Sequence, residues 1–180
     1  DFIVDEYMKK IRALGGLDVP LNVVLFQEIQ RLQRVIHKVR VTLKAIRQAI
    51  DGEVVMTQEL LTNIGELFNA TTPNTWVYTP AGDEFSWISS TVGLWFGLLT
   101  GRFEQNNKWL TVGRPVTYWL HGFANPQGFF TSMKQEVTRK HKNDGWSLDD
   151  VIYHTEVTDY ERIESVGKPP KEGVYVHGLF

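Results

Sequence analysis

The strongest constraint on this chain lies in residues 21–50, where Leu25, Ile29, Leu32, Ile36, Val39, Leu43, Ile46 and Ile50 recur at alternating steps of four and three. That spacing is a heptad seam, and a helix carrying it must lie against an apolar surface. Pro20 suits the first turn of such a helix and Gly52 its exit. At 1.5 Å per residue the helix is a rod of roughly 45 Å, whereas the mean globular helix has roughly 11 residues. The remaining segments are expected to be shorter helices and strands packed along or beyond this spine.

The spine needs a core to lie against, and the composition supplies one. The chain has 180 residues, 42% hydrophobic and 22% charged, with six Trp and ten Phe. Those values fall in the globular range, for one domain or two small ones, with large rings carrying much of the burial. Cysteine is absent. Disulfides and thiolate chemistry are therefore excluded, and a cytosolic location is the default expectation.

Charge is distributed unevenly. The spine carries Arg31, Arg34, Lys38, Arg40, Lys44 and Arg47 against Glu28 alone, a net charge of +5, so the rest must carry −7 to give the overall −2. A basic helical face is open to three readings: a solvated or internally paired surface, a protein partner, or nucleic acid and acidic membrane. An otherwise acidic chain offers no broad electrostatic footprint for the last, so no nucleic-acid or membrane partner is expected. Both ends read as cut rather than finished. Residues 1–14 begin at once on an amphipathic pattern (Val4, Tyr7, Met8, Ile11, Leu14) without a signal peptide's basic start and apolar block.

Along the chain, Gly15-Gly16 ends the first helix. Thr57 is placed to cap a helix bearing Leu60, Leu61, Ile64, Leu67 and Phe68, with Gly65 weakening its interior. Residues 70–84, with Pro73, Pro80 and Gly82, are loop-like and form the candidate boundary between subdomains. Residues 85–101 contain no basic residue before Arg102 and no acidic one after Glu84, and Gly93, Gly97 and Gly101 stand four apart. The run is too short and too rich in hydroxyls for a membrane span, so a buried helix is expected. Ile88, Val92, Trp95, Phe96, Leu99 and Phe103 would form its core face, and the glycines would admit another backbone. Gly113-Arg114-Pro115 stops this pattern. Residues 116–123 then read as a strand, and Asn125-Pro126 caps a helix with Phe129, Phe130, Met133 and Val137 inward. Arg139, Lys140 and Lys142 supply the favourable sign at its C-terminus. Residues 151–157 and 174–180 alternate as strands do. The fold class is α+β: a mainly helical first two-thirds, about 1–113, then mixed helix and strands over 116–180 that begin an incomplete β-barrel or sheet.

No catalytic motif is present. The G-x-x-x-x-G-K-[ST] loop, G-x-G-x-x-G, H-E-x-x-H and G-x-S-x-G are all missing, so no catalytic, cofactor-binding or metal-ligating residue is expected. Two weaker groupings remain: His121, His154 and His177 on predicted strands, which could converge on zinc, and Asp149-Asp150, read as a solvated turn.

The segment His121-Gly-Phe-Ala-Asn-Pro-Gln-Gly-Phe129, followed by Gln135-Glu-Val-Thr-Arg139, resembles the C-terminal region of dynein heavy chains. Pro20-Leu-Asn-Val-Val-Leu-Phe-Gln-Glu28, Gly113-Arg-Pro115 and Glu172-Gly-Val-Tyr-Val-His-Gly-Leu-Phe180 resemble the same family in the same order, across nearly the whole sequence. Residues 135–142 and Trp146-Ser-Leu-Asp149 are closer to axonemal members. The resemblance implies part of a microtubule motor whose six AAA+ modules form a ring, with ATP and Mg bound far upstream of these residues. It also implies location in the axoneme of a cilium or flagellum, with the rest of the heavy chain, other dynein subunits and microtubules as partners. Residues 1–70 would pack as, or with, the small subdomain of the sixth module, and 116–180 would be the truncated start of a barrel. The expected role is non-catalytic, structural and regulatory. The alternative is a freestanding helical scaffold that binds protein partners through its basic helix.

Overall fold

The computed structural model describes residues 4–178, with the side chain of Val4 excepted, and more than half of these are helical. The helices are α1 (Val4–Ala13), α2 (Pro20–Ile50), α3 (Gln58–Phe68), α4 (Asn74–Val77), α5 (Val92–Val112) and α6 (Pro126–Lys140). Two short strands, β1 (Thr117–Trp119) and β2 (Tyr175–His177), pair in parallel with Trp119 opposite His177. The described residues divide into two compact units, residues 30–103 and residues 4–29 with 104–178, so α2 and α5 each contribute to both.

The spine forms as one 31-residue helix, and five of the eight predicted seam positions are buried. Leu25, Ile29, Leu32, Val39 and Ile46 are buried, whereas Leu43 is 41% and Ile50 67% exposed, and Ile36 is only partly covered. The buried stripe also takes in Leu21, Glu28, Val35, Thr42 and Ala49, so that a second line at steps of four and three runs through Leu21, Leu25, Glu28, Leu32, Val35, Val39, Thr42, Ile46 and Ala49. Apolarity hides this register, because two of its members are polar. Thr42 satisfies its hydroxyl by donating to the Lys38 carbonyl at 2.9 Å, and Glu28 accepts backbone N–H groups. A polar group with a partner can be buried at little cost.

In the unit spanning 30–103, Thr57 caps α3 as expected, accepting from the Leu60 N–H. The helix runs through Gly65. Glu66 then receives the Asn74 N–H and side-chain amide, which fixes the start of α4. Residues 70–84 are therefore not a boundary: they lie inside this unit, and Trp76 at their centre is fully buried. Its core joins Val35, Val39, Trp76 and Trp95, with Leu67, Phe85, Trp87, Val92 and Leu99 packed around them. The predicted helix over 85–101 begins only at Val92, where the Thr91 hydroxyl accepts from the Leu94 N–H. Before it, the backbone is held open because Phe85 donates to the Val77 carbonyl and Trp87 lies on Trp95. Ile88 is consequently 62% exposed rather than core, and Phe96 is also exposed.

In the other unit, Tyr7 and Ile11 of α1 are buried together with Leu21, Val24, Leu25 and Ile29 of α2. Asn22 secures the end of α1 by donating to the Leu14 and Gly16 carbonyls at 3.0 and 2.9 Å. A second cluster collects Trp109 of α5, Tyr118 of β1, Phe123 and Phe129 of α6. The expected strand over 116–123 is shortened to three residues because a 3-10 turn, Leu120–Gly122, follows it. Residues 151–157 form no strand and are largely exposed, since nothing among the described residues pairs with them. The predicted strand over 174–180 is β2, with residues 179–180 lying outside the described part.

Candidate functional site

Sequence segments that lie far apart meet around the N-terminus of α6. Asn125 caps the helix by accepting from the Gly128 N–H at 2.9 Å, and Pro126 follows in the first turn, as the sequence predicts. The N–H groups of Ala124 and Asn125 still need acceptors, and the buried carboxylate of Glu28 supplies them at 3.0 and 3.3 Å. An anion at this helix end also opposes the helix dipole favourably. Glu28→Ala removes the acceptor from both groups and is expected to cost about 1–3 kcal/mol. Glu28→Gln should cost less, because its amide oxygen still accepts. Urea unfolding of the two variants checks that order.

The same segments explain their own residue choices. A Cβ on Gly122 would stand 2.6 Å from the Trp119 ring, and one on Gly178 would stand 2.4 Å from it, so both positions require glycine for close approach. Gln105 of α5 accepts the Trp119 N–H at 2.7 Å and donates to its carbonyl at 3.3 Å, serving that side of β1 as a neighbouring strand would. Arg114 makes a two-pronged ion pair with Glu136, while Arg139 donates to the Asp18 carbonyl. Near the Arg114–Glu136 pair, burial pushes the Tyr118 hydroxyl up to about 12, with Arg114 opposing the rise and Glu136 adding to it.

Beside this junction an open groove of about 500 Å³ runs between Pro20, Val23 and Gln27 of α2 and Gln127, Thr131 and Gln135 of α6. Leu17, Asn125 and Ser132 complete much of the wall, with Asp18 and Arg139 as its charged members. Amides and hydroxyls can hydrogen-bond a polar surface or an extended backbone. They are poor general acids and bases near neutral pH.

The histidines singled out by the sequence are not gathered into one site. Among the described residues no three His, Cys, Asp or Glu side chains come together as a metal-ligand set. His121 lies by Trp119, with ring centres 5.9 Å apart, and His177 pairs in register with that same residue, its pKa lowered by burial. His154 is exposed and faces Glu156 instead. Asp150 belongs to a turn, accepting the Ser147 N–H and hydroxyl at 2.6 and 2.7 Å, and these bonds hold its pKa below the usual range.

A Cβ placed on Gly97 would meet nothing within 4 Å, and one on Gly93 would meet only its neighbour Thr91, so no described backbone uses either for close approach. The junction at Glu28 is not evident from local pattern. No described helix is long and apolar enough to cross a membrane.

The family model for the C-terminal domain of the dynein heavy chain matches residues 3–180. The dynein gamma chain of the flagellar outer arm of Chlamydomonas reinhardtii is 45% identical over 99% of this sequence. Dynein axonemal heavy chain 5 of Mus musculus is 40% identical, and dynein axonemal heavy chain 8 of Homo sapiens 41% identical, each over 100% of it. The 180 residues span about 4% of the length of each of these relatives.

Proposed function

This protein belongs to the family of dynein heavy-chain domains that lie at the C-terminus, and on that premise we propose that it is a non-catalytic structural and regulatory segment of an axonemal dynein heavy chain. It packs against the AAA+ ring of an ATP-driven microtubule motor in cilia or flagella, with residues 1–70 associating with the small subdomain of the sixth module. ATP and Mg act elsewhere in the parent motor. Other dynein subunits and microtubules engage the motor through those other regions. The names of the relatives, axonemal and flagellar dyneins, support this setting.

The observation that carries the packing role is the apolar surface of the unit spanning 30–103. Phe68 is 90% exposed, and Ile88, Leu94 and Phe96 are exposed with it. Contiguous apolar patches left uncovered on a folded unit mark interaction surfaces, and we read these four side chains as members of one. Gly93 and Gly97 lie exposed on α5 beside Leu94 and Phe96. A regulatory effect requires contacts that differ in energy between two states of the motor, and such coupling is typically about 1–3 kcal/mol.

Gly97→Leu separates packing within the segment from packing against the ring. Open space around Gly97 means that leucine should leave the segment's own fold intact, and its higher helix propensity adds about 1 kcal/mol in favour. In the full heavy chain, the added bulk is expected to change velocity or stall force several-fold while ATP turnover continues. Velocity, stall force and microtubule-stimulated ATPase all equal to wild type would overturn the proposal.

A further inference from the structure

The C-terminal end of α6 is tied down by its cap residue. Both ring nitrogens of His141 are engaged: Nδ1 faces Asp144 Oδ2 at 2.8 Å, and Nε2 faces Glu172 Oε1 at 2.5 Å. The ring lies flat on Trp146, with centres 3.9 Å apart and planes inclined by 18°. Asp144 belongs to the 3-10 turn that follows the helix, whereas Glu172 lies 31 residues along the sequence from His141, shortly before β2.

This geometry selects one protonation state. A neutral imidazole has one N–H and one lone pair, and an ionised carboxylate only accepts. The neutral ring would therefore set a lone pair against carboxylate oxygen on one side, while the imidazolium donates to both. A cation over the indole face gains further attraction. From this arrangement we propose that His141 is a proton-operated latch. Charged, it fastens the segment leading into β2 to the end of α6 and closes the loop over 145–171; neutral, it releases one carboxylate and loosens both loop and strand.

Little else restrains that loop. Across 151–161 no backbone group hydrogen-bonds another described backbone group, and Val157 is 97% exposed. Its other anchors include Tyr153, which lies by Phe130 and Lys134 and hydrogen-bonds the Thr131 side chain, and Tyr160, lying edge-on to Tyr175. The charged groups facing His141 are Asp144 from the turn and Glu172 from the segment before β2, and Lys140 and Lys142 flank it in sequence. The hydrogen bonds it donates to Asp144 and then to Glu172 hold the imidazolium above the usual histidine range, against a smaller opposing effect of lost hydration. A raised folded-state pKa gives the sign. The latch contributes fully below the ordinary imidazole value of roughly 6.5, and its contribution is lost as pH rises through the higher folded value.

The test follows two exchange reactions in the intact protein by mass spectrometry. Deuterium exchange at the imidazole C2 position reports the His141 midpoint, and amide exchange reports protection of 172–178 after correction for intrinsic pH dependence. The expected result is a His141 midpoint above the ordinary value, with protection of 172–178 falling several-fold across that same midpoint while residues 129–137 stay protected. Glu172→Gln should lower the midpoint and move the protection step with it, and His141→Gln should remove the step. An ordinary midpoint, no step at the midpoint, or a step that survives His141→Gln would overturn the latch. Because coincidence of midpoint and step is read in the wild type, the outcome does not depend on either variant folding.

Discussion

Trp95→Ala is expected to destabilise the unit spanning 30–103 by about 3–5 kcal/mol, the range for truncating a fully buried large aromatic. Trp95 is fully buried, stacks on Trp87 with centres 5.0 Å apart, and meets Trp76 at 5.4 Å. The two tryptophans Trp87 and Trp95 also exchange hydrogen bonds, each indole N–H donating to the other's backbone carbonyl, at 3.3 and 3.1 Å. The Arg102 guanidinium covers the Trp87 ring at 4.2 Å from its centre, so loss of Trp95 removes the floor beneath a cation–π pair. Alanine therefore opens a cavity, leaves the Trp87 carbonyl without its donor, and frees the segment before α5. Leu94→Ala is the control: one residue away but 59% exposed, it should change stability by no more than about 0.5 kcal/mol. Guanidinium unfolding of both variants decides the matter. Equal midpoints for Trp95→Ala and Leu94→Ala would show that this cluster is not a core.

Phe129→Ala should produce a loss of the same size in the other unit, again about 3–5 kcal/mol. Phe129 is fully buried and lies 4.5 Å from Phe123 and 4.8 Å from Tyr118, centre to centre. Those two rings both touch Trp109, so one truncation loosens α6, β1 and α5 together. The consequence should be visible at a distance in sequence: amide protection at Ala124 and Asn125, whose N–H groups reach Glu28, should fall with global stability. Hydrogen exchange on Phe129→Ala beside wild type measures this. Unchanged protection at both amides would mean that Glu28 holds the helix N-terminus without support from the aromatic cluster.

Much of the local structure was legible because it depends on neighbours in sequence. Pro20, Thr57 and Asn125-Pro126 mark helix starts through their own backbone and side-chain geometry, and each helix begins there. Gly113, with a positive φ, ends α5 where the sequence places the stop. The family resemblance was legible for a related reason. Its quoted segments are the ones in which Glu28, Gly122, Asn125, Gly128, Glu136 and Gly178 perform tasks that few other residue types can perform.

Local order in the residues was therefore enough to dictate the long helix, the main caps and stops, the change from helical to extended pattern near residue 116, and membership of the family. Which face of α2 turns inward depended on the tertiary fold, because Val35 and Ile36, or Thr42 and Leu43, are separated only by what lies opposite them. The fold likewise made Trp76, within an apparently loop-like run, part of the core, and left Ile88 outside it. It brought Glu28 to Ala124 and His141 to Glu172, pairings that no local period encodes. The physical reason is the range of the forces involved. Capping and helix propensity act within a turn of the backbone, whereas burial and partner satisfaction depend on groups that only folding brings together.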